Sequence, residues 1–228
     1  NSNLPDKSVV FVRTSDLDSF YAKFSLSSSR IILITGSSDL SPSPTVQRRL
    51  LENPRLIHWF AQNNAYLHPK VSAIPIGLED RWRHSHGRIT PIISLRSMLP
   101  PCRVPRMLGG FSLCNNPSIR RPLYSRLKDH PAADLFSKSS RHYLDQLSKY
   151  MFVVSPQGNG IDCHRTWEAL YLGTMPIVVG NTFYDQFPGF PGLVLDSWEQ
   201  ISTLHSSQFE ELYSSCVAKL ANFFPLWM

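Results

Sequence analysis

The sequence predicts an α/β protein made of two doubly wound domains, because short apolar runs alternate with amphipathic helical stretches along both halves of the chain. Runs such as 31–35 (IILIT) and 175–179 (MPIVV) have the length and composition of buried strands. Strands that are joined through helices pair in parallel and are usually buried on both faces. Between 80 and 105 the chain is basic and rich in proline, so we predict domains at 1–95 and 105–228.

Each element follows from an apolar run or a helical pattern bounded by Gly, Pro, Asn or Asp. Asn53-Pro54 ends a helix, Asn115-Asn116-Pro117 forms a turn, and the prolines at 100, 101 and 105 argue against a central strand there. The predicted strands are 9–12, 31–35, 57–61, 71–76, 107–113, 151–154, 175–179 and 193–195. The predicted helices are 17–24, 45–51, 92–98, 118–128, 141–148, 162–172, one that starts at Asp196 or Ser197, and 208–222.

Charge and composition exclude two classes of function. The net charge of +6 favours anionic ligands, but no dense Lys/Arg run exists to follow a nucleic-acid backbone, and the pairs Arg48-Arg49 and Arg120-Arg121 are interpreted as solvated surface. No segment reaches the about 18–20 continuous apolar residues of a membrane span. The four cysteines contain no CxxC pair, which argues against a structural zinc site.

The chain begins at Asn1 rather than at an initiator Met. We therefore expect a processed or partial chain, in which membrane association would depend on a segment outside this sequence. Localisation stays open: the lumen of the secretory pathway if an N-terminal anchor precedes the chain, and otherwise the cytoplasm.

Residues 150–180 (YMFVVSPQGNGIDCHRTWEALYLGTMPIVVG) form the most informative stretch of the chain. Two apolar runs flank a Gly-rich loop and a helical segment, which predicts a parallel βαβ unit. Asp162 is the predicted N-cap of this helix, and Gly173 its end.

The helix carries side chains that suit a nucleotide. A Gly-rich loop before a helix N-terminus offers backbone N–H groups to a phosphate, and Arg165 adds a bidentate donor. Glu168 lies one turn further along, where it can accept hydrogen bonds from a ribose diol, and His164 lies near the same face. The alternative is a buried helix in which Arg165 and Glu168 pair with each other.

Polar residues follow several of the other predicted strands. Ligands of doubly wound sheets bind beyond the carboxyl ends of the strands, so these residues would line one cleft if the two domains face each other. They include Asp39 after 31–35, Gln62 to Asn64 after 57–61, Glu79 after 71–76, and Asn115 after 107–113.

The motif residues are FVVSPQGNG at 152–160, Asp162, His164-Arg165, WEAL at 167–170, Gly173 and PIV at 176–178. Together they resemble the donor-binding signature of exostosin-like glycosyltransferases, which are nucleotide-sugar enzymes of the GT-B architecture. The resemblance implies two facing Rossmann-like domains, with a small or truncated N-terminal acceptor domain. It also implies a nucleotide-sugar donor as cosubstrate, a glycan or glycoconjugate acceptor, no required cofactor and no metal.

The resemblance also implies roles for single residues. Arg165 and the loop Gly158, Asn159 and Gly160 would contact the diphosphate, and Glu168 would bind the donor ribose. Asn159, Asp162 and His164 would lie near the sugar, and Asn115 would belong to the first loop of the donor domain.

Transfer with inversion also needs a base for the acceptor hydroxyl. The candidates are Asp39, Glu79 and His68, of which Asp39 is preferred because it follows the clearest N-terminal strand. Inversion and retention both stay open, as do the sugar and the base of the donor.

Three alternatives remain at this point. Asp16-Leu17-Asp18 matches the Asp-x-Asp pattern of metal-dependent transferases, but Asp16 is interpreted as a helix N-cap. A non-catalytic nucleotide- or glycan-binding remnant of a transferase fold is the competing class. A Cys163–His164 nucleophile pair is disfavoured, because adjacent helical side chains point about 100° apart.

Overall fold

The structure is a computed structural model, and it describes residues 4–79, 89–98, 102–136 and 142–223. Strands and helices alternate along the described chain, as the sequence predicts. In chain order the strands are β1 Ser8–Arg13, β2 Ile31–Gly36, β3 Leu56–Ala61, β4 Val71–Ala73, β5 Val104–Gly109, β6 Ala133–Leu135, β7 Tyr150–Val154, β8 Met175–Val179 and β9 Leu193–Leu195. The α-helices are α1 Leu17–Phe24, α2 Pro44–Glu52, α3 Ile89–Ser97, α4 Pro117–Lys128, α5 Tyr143–Leu147, α6 His164–Tyr171 and α7 Phe209–Phe223. Within the described ranges, no helix is both long and apolar enough to cross a membrane.

The chain divides into two compact units. Unit 1 comprises Asn1–Ile76 together with the short segments Asn159–Asp162 and Asn181–Gln186, and unit 2 comprises the remainder. These bounds differ from the predicted domains 1–95 and 105–228. Of the described residues, 77–79 and 89–95 belong to unit 2, because Ile92 of α3 packs in the same apolar cluster as Leu108 and Val153.

Unit 1 is built on the described strands β1 to β4, which lie side by side in chain order and pair in parallel. Alternate residues of β2 and β3 are buried, and they join an apolar cluster with residues of α1 and α2. Trp59 is at the centre of this cluster, and its indole Nε1 donates to Thr35 Oγ1 at 2.9 Å. The helix α2 starts with Pro44 after an N-cap serine, Ser43, whose hydroxyl accepts the Val46 N–H.

The two faces of the unit 1 sheet differ in burial. The face that carries Leu33 and Trp59 is covered, whereas Val9 and Phe11 on β1 are 64% and 58% exposed. When parallel strands follow one another across a sheet in chain order, their right-handed crossovers place the connecting helices on the same face. In agreement with this rule, α1 and α2 contact each other. One side of this sheet is therefore covered by the described helices.

Unit 2 is built on a parallel sheet with the order β6-β5-β7-β8-β9 in the described chain. Met175, Pro176, Ile177 and Val178 of β8 are all buried, as expected for a strand that is covered on both faces. Phe152 of β7 packs against Phe209 of α7, with ring centroids 5.1 Å apart.

The strand prediction needs correction around β5 and β6. β5 runs over Val104–Gly109 rather than 107–113, and it includes Pro105 although it lies between two neighbours. The pairing of β5 with β7 shifts register between Val104 and Met107, so the missing N–H of Pro105 falls at an irregularity of the ladder. β6 was not predicted, because Asp134 interrupts its three residues (ADL) and leaves no apolar run.

Two further elements differ in extent or type. β4 ends at Ala73 rather than at 76. The helix predicted after Asp196 or Ser197 is a 3-10 helix, Trp198–Thr203.

Candidate functional site

The strand order of unit 2 reverses beside β5. β6 follows β5 in the chain and lies on one side of it, whereas β7, the next strand, lies on the other side. Where the order of a doubly wound sheet reverses, the loops at the carboxyl ends of the two strands diverge and leave a crevice in which ligands bind. Here these loops are 110–116, which leads into α4, and the segment that begins at Ser155 after β7.

Helix α6 begins one residue later than the sequence predicts. Cys163 is its N-cap residue and His164 its first residue, so Asp162 is not the N-cap. The Asp162 carboxylate instead accepts the backbone N–H of Ile76 through Oδ2 at 2.9 Å, within unit 1. The helix ends at Tyr171 with Leu172 as its C-cap, and Gly173 directly follows, as predicted; its φ of 71° lies in the left-handed region that suits glycine.

Arg120 of α4 lies beneath the two loops. It is only 4% exposed, which corrects its interpretation as solvated surface. Its guanidinium donates to three backbone carbonyls: Nη1 to Ser112 at 3.0 Å, Nε to Gln157 at 3.0 Å, and Nη2 to Pro156 at 3.1 Å. The side chain therefore ties the loop after β5 to the loop after β7.

Arg165 of α6 is a second buried arginine, and the residue is 2% exposed. Its Nε and Nη1 atoms meet no hydrogen-bond acceptor within the described residues. Burial acts to lower the pKa of Arg165, but the neighbouring Tyr143 and Glu168 side chains outweigh it, so the pKa stays above its ordinary value and the group is charged.

Phe111 connects the two arginines. Its ring centroid is 5.8 Å from Cζ of Arg120 and 5.7 Å from Cζ of Arg165. The electron-rich face of an aromatic ring attracts a cation, but it does not neutralise the charge. Burial, with the positive charge of Arg165, lowers the pKa of Arg120 to about 10. Two like charges thus lie close together in a poorly solvated place, as is typical of functional sites rather than of ordinary cores.

Glu168 lies on α6, one turn after Arg165, and is 0% exposed. Its carboxylate is close enough to raise the pKa of Arg165. The alternative in which Glu168 occupies the donors of Arg165 does not hold for Nε and Nη1, which have no acceptor in the described chain. A ribose reaches this carboxylate only if the surrounding residues move.

His164 is half-buried at the first position of α6. Its Nδ1 lies 2.9 Å from the carbonyl oxygen of Gly77, also in unit 2. A carbonyl only accepts, so Nδ1 carries the proton of the neutral ring, and Nε2 is the nitrogen that can accept from a ligand.

The Gly-rich loop passes from unit 2 to unit 1 between Gly158 and Asn159. Within unit 1, Asn159 Nδ2 donates to Asp39 Oδ2 at 3.1 Å, so the structure brings together two residues that the sequence marked separately. Asn63 Oδ1 accepts the N–H of Asp162 at 3.0 Å. A Cβ on Gly160 would lie 2.6 Å from this Asn63 oxygen, so only glycine fits the position.

The remaining predicted residues lie on loops. Asn115 is exposed before α4, Glu79 is half-buried in the segment after β4, and His68 is half-buried in the loop after β3. Asp16 precedes α1 as predicted, although its side chain makes no capping hydrogen bond. Across the described ranges, no group of three or more His, Cys, Asp or Glu side chains is arranged to hold a metal ion.

The comparisons with known proteins identify the fold. Trehalose-6-phosphate synthase from E. coli, in a structure bound with UDP-2-fluoro glucose, matches with a TM-score of 0.50 and 7% identity, over 96% of this chain and 71% of that chain. An apo structure of OtsA matches with a TM-score of 0.54 and 8% identity, over 96% of this chain and 70% of that chain. No protein-family model matches the chain, and no curated protein matches it. The structural matches confirm the predicted α/β fold class, with parallel sheets of the GT-B glycosyltransferase type.

Proposed function

We propose that this protein is a glycosyltransferase that moves a sugar from a nucleotide-sugar donor to a hydroxyl of a glycan or glycoconjugate acceptor. One observation carries the proposal: two buried guanidinium groups, Arg120 and Arg165, lie next to Phe111 in the loop after β5, where the strand order of unit 2 reverses. The fold is consistent with it, since one structural neighbour is bound with UDP-2-fluoro glucose.

The buried charges suit the leaving group of such a reaction. When the glycosidic bond to a nucleotide breaks, negative charge grows on the diphosphate, and preorganised positive charge in a poorly solvated site stabilises it. Backbone N–H groups of the loop at Gly158 and of the first turn of α6 add further donors. Arg165 is the group we assign to this charge, because its Nε and Nη1 atoms meet no acceptor in the described part of the chain.

We assign the base to Asp39, with Glu79 and His68 as the other candidates. Asp39 is exposed, and the amide of Asn159 holds its Oδ2 atom, which leaves Oδ1 to receive the proton of the acceptor hydroxyl. Asp39 would thereby make the acceptor oxygen a better nucleophile as it attacks the anomeric carbon.

The finer assignments rest on the sequence motif. The resemblance of 152–178 to exostosin-like enzymes supports a hexosyl- or pentosyltransferase that needs no metal, with Glu168 on the donor ribose. His164, Asp162 and Asn159 would lie near the sugar.

The second candidate is a module that binds nucleotides without turnover. In both candidates Glu168 is fully buried, so a ribose reaches its carboxylate only after the surrounding residues move. The two candidates differ in turnover and agree in binding.

Both candidates are tested by measuring the melting temperature of the protein with UDP, GDP and CMP and with nucleotide sugars built on each of them. We expect one base to raise the melting temperature across several sugars, and Arg165→Ala to lower transfer about 100-fold or more. Arg121→Ala is the matched control, because Arg121 is exposed on α4 and should leave transfer unchanged.

The outcomes separate the possibilities. Binding without release of nucleoside diphosphate, over a broad set of acceptors, supports the non-catalytic module. Full activity in Arg165→Ala contradicts the assignment of Arg165, and the absence of stabilisation by any nucleotide contradicts both candidates.

A further inference from the structure

Arg120 has a hydrogen-bond pattern that differs from that of Arg165. All three kinds of guanidinium nitrogen in Arg120 donate to backbone carbonyls, at Ser112, Pro156 and Gln157. These carbonyls belong to the two loops that follow β5 and β7, the strands beside which the sheet order reverses. One side chain therefore fixes both walls of the crevice.

We propose that Arg120 is a positioning residue, which holds the Gly-rich loop in the conformation that presents its backbone N–H groups to the diphosphate. The inference rests on the proposed function, because it takes the nucleotide diphosphate to be the ligand of this loop. Arg120 acts through the loop rather than by touching the ligand, since each of its three nitrogens already donates to a loop carbonyl and the residue is only 4% exposed.

The shape of the guanidinium is essential to this role. Its nitrogens are held in one plane and point in different directions, so that a single side chain reaches three carbonyls from two loops. A lysine keeps the charge but places three donors on one atom, and it cannot bridge the same acceptors. Arg120→Lys therefore separates loop positioning from charge.

Gly158 marks the place where the loop crosses this side chain. A Cβ on Gly158 would lie 3.2 Å from Nη2 of Arg120, the atom that donates to Pro156. Gly158→Ala thus disturbs the hydrogen bond between Arg120 and Pro156 by a change in the loop, while residue 120 remains an arginine.

Unit 2 supplies a matched control in Arg103. Its guanidinium also donates to several backbone carbonyls, with Nη1 to Ser148 at 2.5 Å and Nη2 to Leu172 at 2.5 Å. Arg103 directly precedes β5, and its acceptors lie before β7 and at the end of α6. Arg103 therefore lies at the amino ends of β5 and β7, whereas the candidate site lies at their carboxyl ends. Arg103→Lys removes hydrogen bonds to backbone carbonyls, as Arg120→Lys does, but away from the site.

The experiment measures the dissociation constants of UDP and of inorganic pyrophosphate, with amide hydrogen exchange of the loop 155–160, at a temperature where every variant is folded. We expect Arg120→Lys to weaken both ligands about 10- to 100-fold and to speed exchange in the loop without ligand. Arg103→Lys should bind both ligands within about twofold of the unmodified protein and leave loop exchange unchanged. Gly158→Ala should act in the direction of Arg120→Lys, and it replaces that variant if Arg120→Lys does not fold.

Failure of this inference differs from failure of the proposed function. If Arg165→Lys weakens binding while Arg120→Lys and Gly158→Ala match the Arg103→Lys control, Arg120 is structural only and the inference is wrong. If the unmodified protein binds neither UDP nor pyrophosphate, the proposed function is wrong and the inference falls with it.

Discussion

The two units use the same parallel strands but differ in their order. In the described part of unit 1 the strands lie in chain order, β1-β2-β3-β4, whereas in unit 2 the order reverses beside β5. A sheet that grows in one direction receives its crossover helices on one face, and a sheet that reverses receives them on both. This explains why Val9 and Phe11 of unit 1 are exposed while most of β8 in unit 2 is buried.

The two units also differ in where their charged groups lie relative to the carboxyl ends of the strands. In unit 2 Arg120 donates to both diverging loops, and Arg165 lies next to Phe111 of one of them. Both arginines remain charged although they are almost completely buried. The carboxyl edge of unit 1 instead presents exposed Asp39, held by Asn159. Under the proposed function, the donor would bind at the reversing sheet of unit 2, and the exposed Asp39 carboxylate of unit 1 would take the proton.

The strongest test of this comparison uses two glycines that are two positions apart but belong to different units. At Gly160, in unit 1, an added Cβ would meet the side chain of Asn63 at 2.6–2.9 Å. Asn63 cannot yield easily, because it donates to Ser38 and accepts from Asp162. We therefore expect Gly160→Ala to lower the free energy of unfolding by roughly 1–3 kcal/mol, as measured by urea denaturation.

Gly158→Ala is the control on the side of unit 2. Its Cβ would contact only the guanidinium of Arg120, at 3.2 Å. We expect a smaller loss of stability but a larger loss of nucleotide binding than in Gly160→Ala. If the ratio of lost stability to lost nucleotide affinity is the same in the two variants, Gly158 and Gly160 respond as one segment. The assignment of these two glycines to different units would then be wrong.

Most of the fold could be predicted from the sequence, because apolar runs and helix boundaries are local signals. The bounds of α1 were predicted exactly as found, and the end of α6 at Gly173 is confirmed. β6 could not be predicted, because Asp134 leaves it without an apolar run and its pairing with β5 is not a local signal. The reversal of strand order, which creates the crevice, depends on this short strand.

The sequence indicates only part of the candidate site, and the rest gives no sequence signal for a physical reason. Arg165 carries a signal because a cation in the first turn after a Gly-rich loop suits an anion. Arg120 carries none, because its acceptors are backbone carbonyls, which every residue has, and two of them lie more than thirty positions away in the chain. Asp162 was misassigned for a similar reason: its bond to the N–H of Ile76 competes with local capping and prevails.

Substitution of Phe111, which lies next to both buried arginines of unit 2, is expected to have an effect of intermediate size. Its ring lies within 6 Å of both guanidinium carbons, and each such contact contributes about 0.5–1 kcal/mol or more when it is desolvated. We expect Phe111→Leu to lower the free energy of unfolding by about 1 kcal/mol more than Phe136→Leu, since Phe136 packs in an apolar cluster. Equal losses in the two variants, measured by thermal unfolding, would show that the ring acts through its size alone.

The smallest effect concerns Asp134, which ties the edge strand β6 to β5. Arg106 donates to both carboxylate oxygens of Asp134 at 2.8 Å, and Tyr150 of β7 donates to Oδ2 at 3.1 Å. The hydrogen bonds from Arg106 hold the pKa of Asp134 below its ordinary value, and the Tyr150 hydroxyl adds to this. A lowered pKa in the folded state stabilises the fold above the unfolded value of about 4, and this stabilisation disappears as the pH falls through the folded-state pKa.

Asp134→Asn should therefore reduce stability at pH 7 by less than about 1 kcal/mol, because the carboxylate is 39% exposed and solvent screens the pair. The difference from the unmodified protein should shrink as urea midpoints are measured at lower pH, below about pH 4. Asp145→Asn, which removes the exposed pair with Lys149 on the surface of the same unit, is the control and should cost less. A deficit in Asp134→Asn that persists at acid pH would mean that the side chain holds β6 by shape rather than by charge.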